Sequence, residues 1–385
     1  RSPAFSKEII MIQISSRALS MPTSGIRAMT VLASKYDNVV SFGLGEPDFP
    51  TPQNIIDEGC HALQTGWTKY VANQGIQPLL SALAAKMREY NNMPYITEDN
   101  IHITFGAGQA LLLSMETILE PEDEVIIPTP CFPNYFGYVH MAGGKSVVYP
   151  SKEKNGFRVT AQEIKEKITS KTKAILINSP CNPTGSVLTE QDIREIAQVA
   201  LEYNLTVISD EPYEAIIYDG QKSFSIASIP EMKDHVITVN SFSKSYAMTG
   251  WRLGYCCGPA AIIQQMTKIH QFAIMCAPTT SQYAAVEALK NGDPDIEEMR
   301  TAYNQRRRFL MNAFREMGLE CFEPYGAFYV FPCIKEFGMT SEEFATRFLE
   351  EEKVAAVPGT AFGDSGEGYL RISYAYSLEK LKTAI

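Results

Sequence analysis

The sequence predicts an α/β protein with a smaller α+β part, and three observations predict it. From about residue 100, short apolar runs alternate with longer amphipathic stretches, the pattern of buried strands joined by helices. After about residue 280 the texture changes to long charged helices followed by short strands. A chain of 385 residues is also too long for one compact core, so two domains are expected, with a small-molecule site at their junction. The larger domain is expected over 41–280 and the smaller over 281–385 together with an N-terminal arm, 1–40.

Each element follows from its local pattern. IHITF (101–105) reads as a strand that runs into Gly106-Ala107-Gly108-Gln109 and then the helical run ALLLSMETIL, closed by Pro121. EVIIPTP and GGKSVVYP are the next strands. KAILINSP (173–180) leads into the turn CNPTG and the amphipathic helix TEQDIREIAQVALEYN. LTVISDEPY is a buried strand ending in acids, and HVITVNSFSKSY is a strand whose C-terminal end delivers Lys244. The helices bounded by Pro278 and Pro294 form a hinge, followed by DPDIEEMRTAYNQRRRFLMNAFREMG and the strands AFYVF and YLRISYA. The segment before Ser41 has no strand partner of its own and is expected to return to the smaller domain.

Composition excludes several classes of function. A net charge of −10 and a pI near 5.2 oppose binding to a phosphate backbone, so nucleic acid is not an expected partner. No window reaches the roughly 18 apolar residues of a membrane span, and RSPAFSKEIIMIQISSRALS lacks the core of a signal peptide. The chain is expected to be cytoplasmic, although it starts at Arg1 and a processed leader is compatible with that start. The eight cysteines are scattered and the five histidines stand alone, so reduced thiols and no metal are expected.

Ligands of open α/β sheets bind beyond the carboxyl ends of the strands. Four successive strand ends here carry polar groups: Gly106 to Gln109, Asn182 with its Pro-Thr-Gly turn, Asp210 with Tyr213, and Ser241 with Ser243 and Lys244. They are expected to converge on one crevice. In SFSKSYAMTGWRLGY a lysine lies between serines and an arginine follows eight residues later, which suits two chemistries. One is Ser-x-x-Lys acyl transfer with Ser241 as nucleophile; the other is a lysine that forms a Schiff base with a phosphate-bearing aldehyde cofactor. The first lacks its partner motifs, since Ser209-Asp210 is followed by Glu211 and Lys171-Thr172 by Lys173. GAGQAL places Leu111 where a dinucleotide fingerprint needs its third glycine, yet the turn still aims free helix-terminal amides at an anion. Asp210 leaves a buried strand and should meet a cation, because an unpaired buried carboxylate is destabilising. Arg252 and Arg371 are each either an anion clamp or a structural ion-pair partner.

Taken together, Asn-Pro-x-Gly, Asp-x-x-Tyr, Ser-x-Ser-Lys and Arg in this order resemble the class I/II aminotransferases of fold type I, which use pyridoxal 5′-phosphate. The resemblance runs from SFGLGEPDFPTP through TKYVANQGIQPLLSALA to GEGYLRISYA. It implies a three-layer fold around a mostly parallel central sheet. It also implies that Lys244 forms the Schiff base and moves the substrate proton. Ser241, Ser243 and Arg252 would bind the cofactor phosphate with the amides of Ala107 and Gly108, and Tyr70 would reach that phosphate from the other subunit of a homodimer. Phe132 would stack on the pyridine ring, Asn182 and Tyr213 would bond its phenolic oxygen, and Asp210 its ring nitrogen. Arg371, with Asn182 and the Gly45 amide, would hold the substrate α-carboxylate.

The implied reaction is ping-pong transamination between an L-amino acid and a 2-oxo acid such as 2-oxoglutarate. Aspartate and aromatic donors stand level, with Ile26, Phe132 and Tyr135 available as an apolar wall. β-Elimination by the same lysine, as in cystathionine lyase-like relatives, and a catalytically silent sensor domain are the alternatives. An intact lysine, aspartate and arginine set opposes the sensor.

Overall fold

The computed structural model describes residues 12–21 and 24–385, so the beginning of the expected N-terminal arm lies outside the described residues. Twelve strands occur among them: β1 Val40–Ser41, β2 Ile101–Thr104, β3 Glu124–Thr129, β4 Lys145–Pro150, β5 Thr172–Asn178 and β6 Thr206–Asp210, then β7 Val236–Ser241, β8 Gly254–Cys257, β9 Tyr329–Val330, β10 Val354–Ala355, β11 Val357–Pro358 and β12 Leu370–Ser373. Seven of them form one sheet in the order β2-β8-β7-β6-β5-β3-β4. Strands β3 to β7 pair in parallel, and β8 runs antiparallel to both β7 and β2.

The sheet is covered on both faces, which is why its strands read as continuous apolar runs. Successive side chains point to opposite faces, and the core splits accordingly. Ile126, Ile175, Ile177 and Val207 join the helices Gln77–Glu89, Glu190–Glu202 and Thr279–Asn291 in one cluster. Val125, Ile127, Leu176 and Ile208 join the helices Ala107–Ile118, Asn134–Met141 and Ala260–Ala273 in the other. Helix Glu190–Glu202 illustrates the local logic: Thr189 and Asp192 form a capping box, and Ile193, Ile196, Ala197 and Ala200 recur at helical spacing on its buried side.

Strand β8 escaped the sequence reading. It is four residues long, wholly buried and without alternation, so no period distinguishes it from a loop. Its first residue must be glycine: a Cβ on Gly254 would stand 2.6 Å from the Ala107 nitrogen.

Beyond residue 290 the long helix Asp293–Met317 leads to the antiparallel sheet β11-β12-β9 and helix Ser341–Glu352. Strand β1 pairs in parallel with β10, Val40 opposite Val354, which ties the segment before the large sheet to the C-terminal part of the chain.

Candidate active site

The carboxyl ends of the parallel strands and the edge of the small sheet enclose a cleft of about 390 Å³. Its lining includes Gly45, Ala107, Gly108, Phe132, Asn182, Asp210, Tyr213, Ser241, Ser243, Lys244, Arg252 and Arg371. Every site residue expected from the sequence is thus brought together except Tyr70, which is 79% exposed and outside the cleft of its own chain.

Lys244 sits in the short helix Phe242–Ser245 that follows β7. Its amine donates to the Gly45 carbonyl at 2.5 Å. Burial, then the nearby Arg371 charge, pull its pKa down to about 8. Ser241 is committed elsewhere: its hydroxyl donates to Ser243 Oγ at 2.8 Å and lies 3.2 Å from the Leu253 carbonyl. No Ser241–Lys244 hydrogen bond exists, so the acyl-transfer arrangement is absent.

Asp210 ends β6 and is 4% exposed. Burial raises its pKa to about 7, opposed by the Tyr135 hydroxyl, which donates to Oδ2 at 2.6 Å. The other oxygen, Oδ1, is buried without a partner. The Tyr135 hydroxyl therefore serves Asp210, while the residue lines the cleft together with Ile26 and Phe132. The tyrosine pattern carried no signal for this, because only the fold brings the helix Asn134–Met141 over β6.

Arg371 on β12 is 1% exposed. It donates to Asn182 Oδ1 at 3.1 Å and to the Gly43 carbonyl, while its Nε has no partner. Its guanidinium lies between the rings of Tyr329, 4.7 Å from the centroid, and Phe362, at 4.9 Å. Asn182 is itself held by Asn178, whose Oδ1 accepts the Asn182 amide at 2.9 Å and whose Nδ2 donates to the Asp210 carbonyl at 2.9 Å. Asn178 and Tyr329 were both missed in the sequence. Each is an unexceptional strand residue until the sheets meet.

At the other end of the cleft, Gly106 adopts φ 79° and precedes the helix Ala107–Ile118. A side chain there would stand 2.7 Å from Arg252 Nη2, so glycine leaves room for the guanidinium. Arg252, itself left-handed at φ 55°, is steadied by the Thr249 carbonyl at 2.9 Å. A guanidinium, two serine hydroxyls and a helix N-terminus therefore line the same cleft, a combination suited to a phosphate.

Residues 37–385 match the family model described as aminotransferase class I and II. The chain belongs to the class I and II aminotransferases. It is 48% identical to an aspartate aminotransferase of Pyrococcus abyssi, over 94% of each chain. It is 43% identical to aromatic-amino-acid aminotransferase 2 of Thermococcus litoralis, over 97% of this chain and 96% of that one. Among solved structures, an aromatic aminotransferase from Pyrococcus horikoshii superposes with a TM-score of 0.89 at 45% identity, covering 93% of this chain and 96% of the other. As a class I and II aminotransferase, the protein uses pyridoxal phosphate and transfers amino groups between amino acids and 2-oxo acids. Neither β-elimination nor a silent sensor is favoured by these relatives. Among the described residues, no helix is long and apolar enough to cross a membrane.

Proposed function

We propose that this aminotransferase acts preferentially on aromatic or other large apolar L-amino acids, with 2-oxoglutarate as an acceptor. The observation that carries the reading is the charge of the cleft. Its cations are Lys244, Arg252 and Arg371, and each has a task at the cofactor or the α-carboxylate. The rest of the lining is apolar or neutral apart from Glu46 and Asp210, and includes Ile26, Leu44 and Phe132. Among the described residues no further cation lines the cleft, so a side-chain carboxylate, on a donor or on 2-oxoglutarate as acceptor, is held there less well than an apolar side chain, and 2-oxoglutarate is bound through its α-carboxylate. The second reading, aspartate, is favoured by the name of the 48% identical relative.

The residues present fit pyridoxal phosphate. Arg252, Ser241, Ser243 and the amides of Ala107 and Gly108 would hold its phosphate, and Phe132 its ring face. The unpartnered Asp210 Oδ1 suits a protonated ring nitrogen, and Asn182 and Tyr213 would bond the phenolic oxygen. When bound, the cofactor supplies an aldehyde that bonds amines and a ring that accepts negative charge. Arg371 binds and orients the donor through its α-carboxylate, assisted by Asn182 and Gly45. Lys244 Nζ takes the proton from the substrate Cα and returns it on the other side of the transfer; a pKa near 8 lets one amine do both near neutrality.

The test is the visible spectrum of the cofactor-loaded protein, followed after single additions of tyrosine, phenylalanine and aspartate. Aromatic donors should bleach the band with the higher kcat/KM, and 2-oxoglutarate should restore it. Faster bleaching by aspartate would replace the first reading with the second.

The same reading includes a homodimer whose partner covers the exposed Tyr70, so that Tyr70 completes the neighbouring phosphate site. It also includes a reducing, cytoplasmic setting, a reading that rests on the scattered spacing of the eight cysteines. A fully active monomer, or disulfides in the protein as extracted, would overturn the respective part.

A further inference from the structure

Two tyrosines from different sheets meet inside the cleft. Tyr213 follows β6 of the large sheet, and Tyr329 stands on β9 of the small one, opposite Ser373 of β12. Their hydroxyl oxygens are 2.7 Å apart, and their rings meet edge to face with centroids 5.8 Å apart. Both side chains are buried. Among the described residues the Tyr329 hydroxyl has no other hydrogen-bond partner, and a side chain at position 45 would collide with it. Tyr329 therefore touches Tyr213, the Arg371 guanidinium and the Gly45 backbone at once.

We propose that Tyr329 is a positioning residue: it donates to the Tyr213 hydroxyl, fixes the direction in which Tyr213 donates, and so sets how tightly a proton is held beside the cofactor's phenolic oxygen. The inference rests on the reading that Tyr213 bonds that oxygen. A phenol has one proton to give. If Tyr213 gives its proton to the cofactor, the bond between the two tyrosines must run from Tyr329 to Tyr213. Hydrogen bonds in such a chain polarise one another, so the Tyr329 bond strengthens the donation by Tyr213. The positive charge of Arg371 against the Tyr329 ring makes Tyr329 the better donor. The contact also gives the small sheet, which carries Arg371, a direct hold on a group that faces the cofactor.

The experiment compares the loaded wild-type protein with Tyr213→Phe, Tyr329→Phe and the double variant, reading the visible absorption of the cofactor against pH. Phenylalanine keeps both rings, so packing and the contact with Arg371 are retained, and thermal unfolding of the cofactor-free variants verifies the fold. Tyr213→Phe should raise the pH midpoint, because the phenolic oxygen loses a donor and holds its proton more tightly. Tyr329→Phe should raise it in the same direction by about half a pH unit, the size expected from weakening one neutral hydrogen bond in a chain. In the double variant the midpoint should match Tyr213→Phe alone. A shift for Tyr213→Phe with none for Tyr329→Phe, or shifts that add in the double variant, would overturn the relay while leaving the site reading in place. No shift for Tyr213→Phe would overturn the site reading and the inference together.

Discussion

Replacing Lys244 with alanine is expected to abolish transamination, with turnover falling by about 10⁴-fold or more. General acid–base catalysis alone contributes roughly 10² to 10⁴, and in the proposed reading this side chain is also the covalent anchor of the cofactor. The fold should persist. The amine makes one hydrogen bond, to the Gly45 carbonyl, and burial holds its pKa near 8, below the ordinary lysine value. For a lysine with a lowered folded-state pKa, the favourable contribution is present above the unfolded pKa and lost as pH falls through about 8. At pH 7 the buried charge therefore opposes folding, and the cofactor-free alanine variant should unfold no earlier than wild type. Single-turnover spectra with an amino-acid donor check the catalytic part. A small primary amine added to the alanine variant should restore some proton transfer, which a misfolded protein would not show. Turnover near the wild-type rate would remove Lys244 from the mechanism.

Asp210→Asn is the second large effect. The carboxylate is buried at the end of β6 with Oδ1 free and Oδ2 held by Tyr135. Asparagine keeps the size but removes the negative charge that would hold a proton on the ring nitrogen. Loss of a preorganised electrostatic partner of this kind lowers kcat by about 10² to 10³. The cofactor-free protein offers an independent readout. Burial raises the Asp210 pKa from 3.8 to about 7, so between these values the folded state binds more protons than the unfolded one. The stability contributed by Asp210 is then fully present below about pH 4 and lost as pH rises through about 7. Without cofactor, wild-type Tm should fall relative to Asp210→Asn across that window. Bound cofactor, by supplying a cation, should remove the difference in slope. Parallel Tm–pH curves for the two cofactor-free proteins would mean that Asp210 is already ionised and paired.

Much of the architecture was legible because it rests on local chemistry. KAILINSP, LTVISDEPY and HVITVNS are apolar runs of strand length followed by turn or polar residues, and each is a strand of the central sheet. The rule that ligands gather at the carboxyl ends of such strands then brought Asn182, Asp210, Tyr213 and Lys244 into one expected crevice, and all four line it. Strand β8 was not legible, since four buried residues show no period. The hydrogen bond from Tyr135 to Asp210 was not legible either, because it spans 75 positions of the chain.

The sequence by itself determined the fold class, the order of the strand ends, and the polar and charged groups that those ends bring to the cleft. Those properties depend on residue type and short-range spacing. Only the tertiary structure decided which atoms are committed and which are free. Ser241 is bonded to Ser243 and not to Lys244, Asp210 keeps one oxygen unpaired, and Asn178 supports Asn182. Tyr329 crosses from the small sheet to reach Tyr213. The physical reason is that hydrogen bonding and burial at the cleft are set by contacts between elements far apart in the chain, and spacing along one strand carries no information about what the neighbouring sheet places against it.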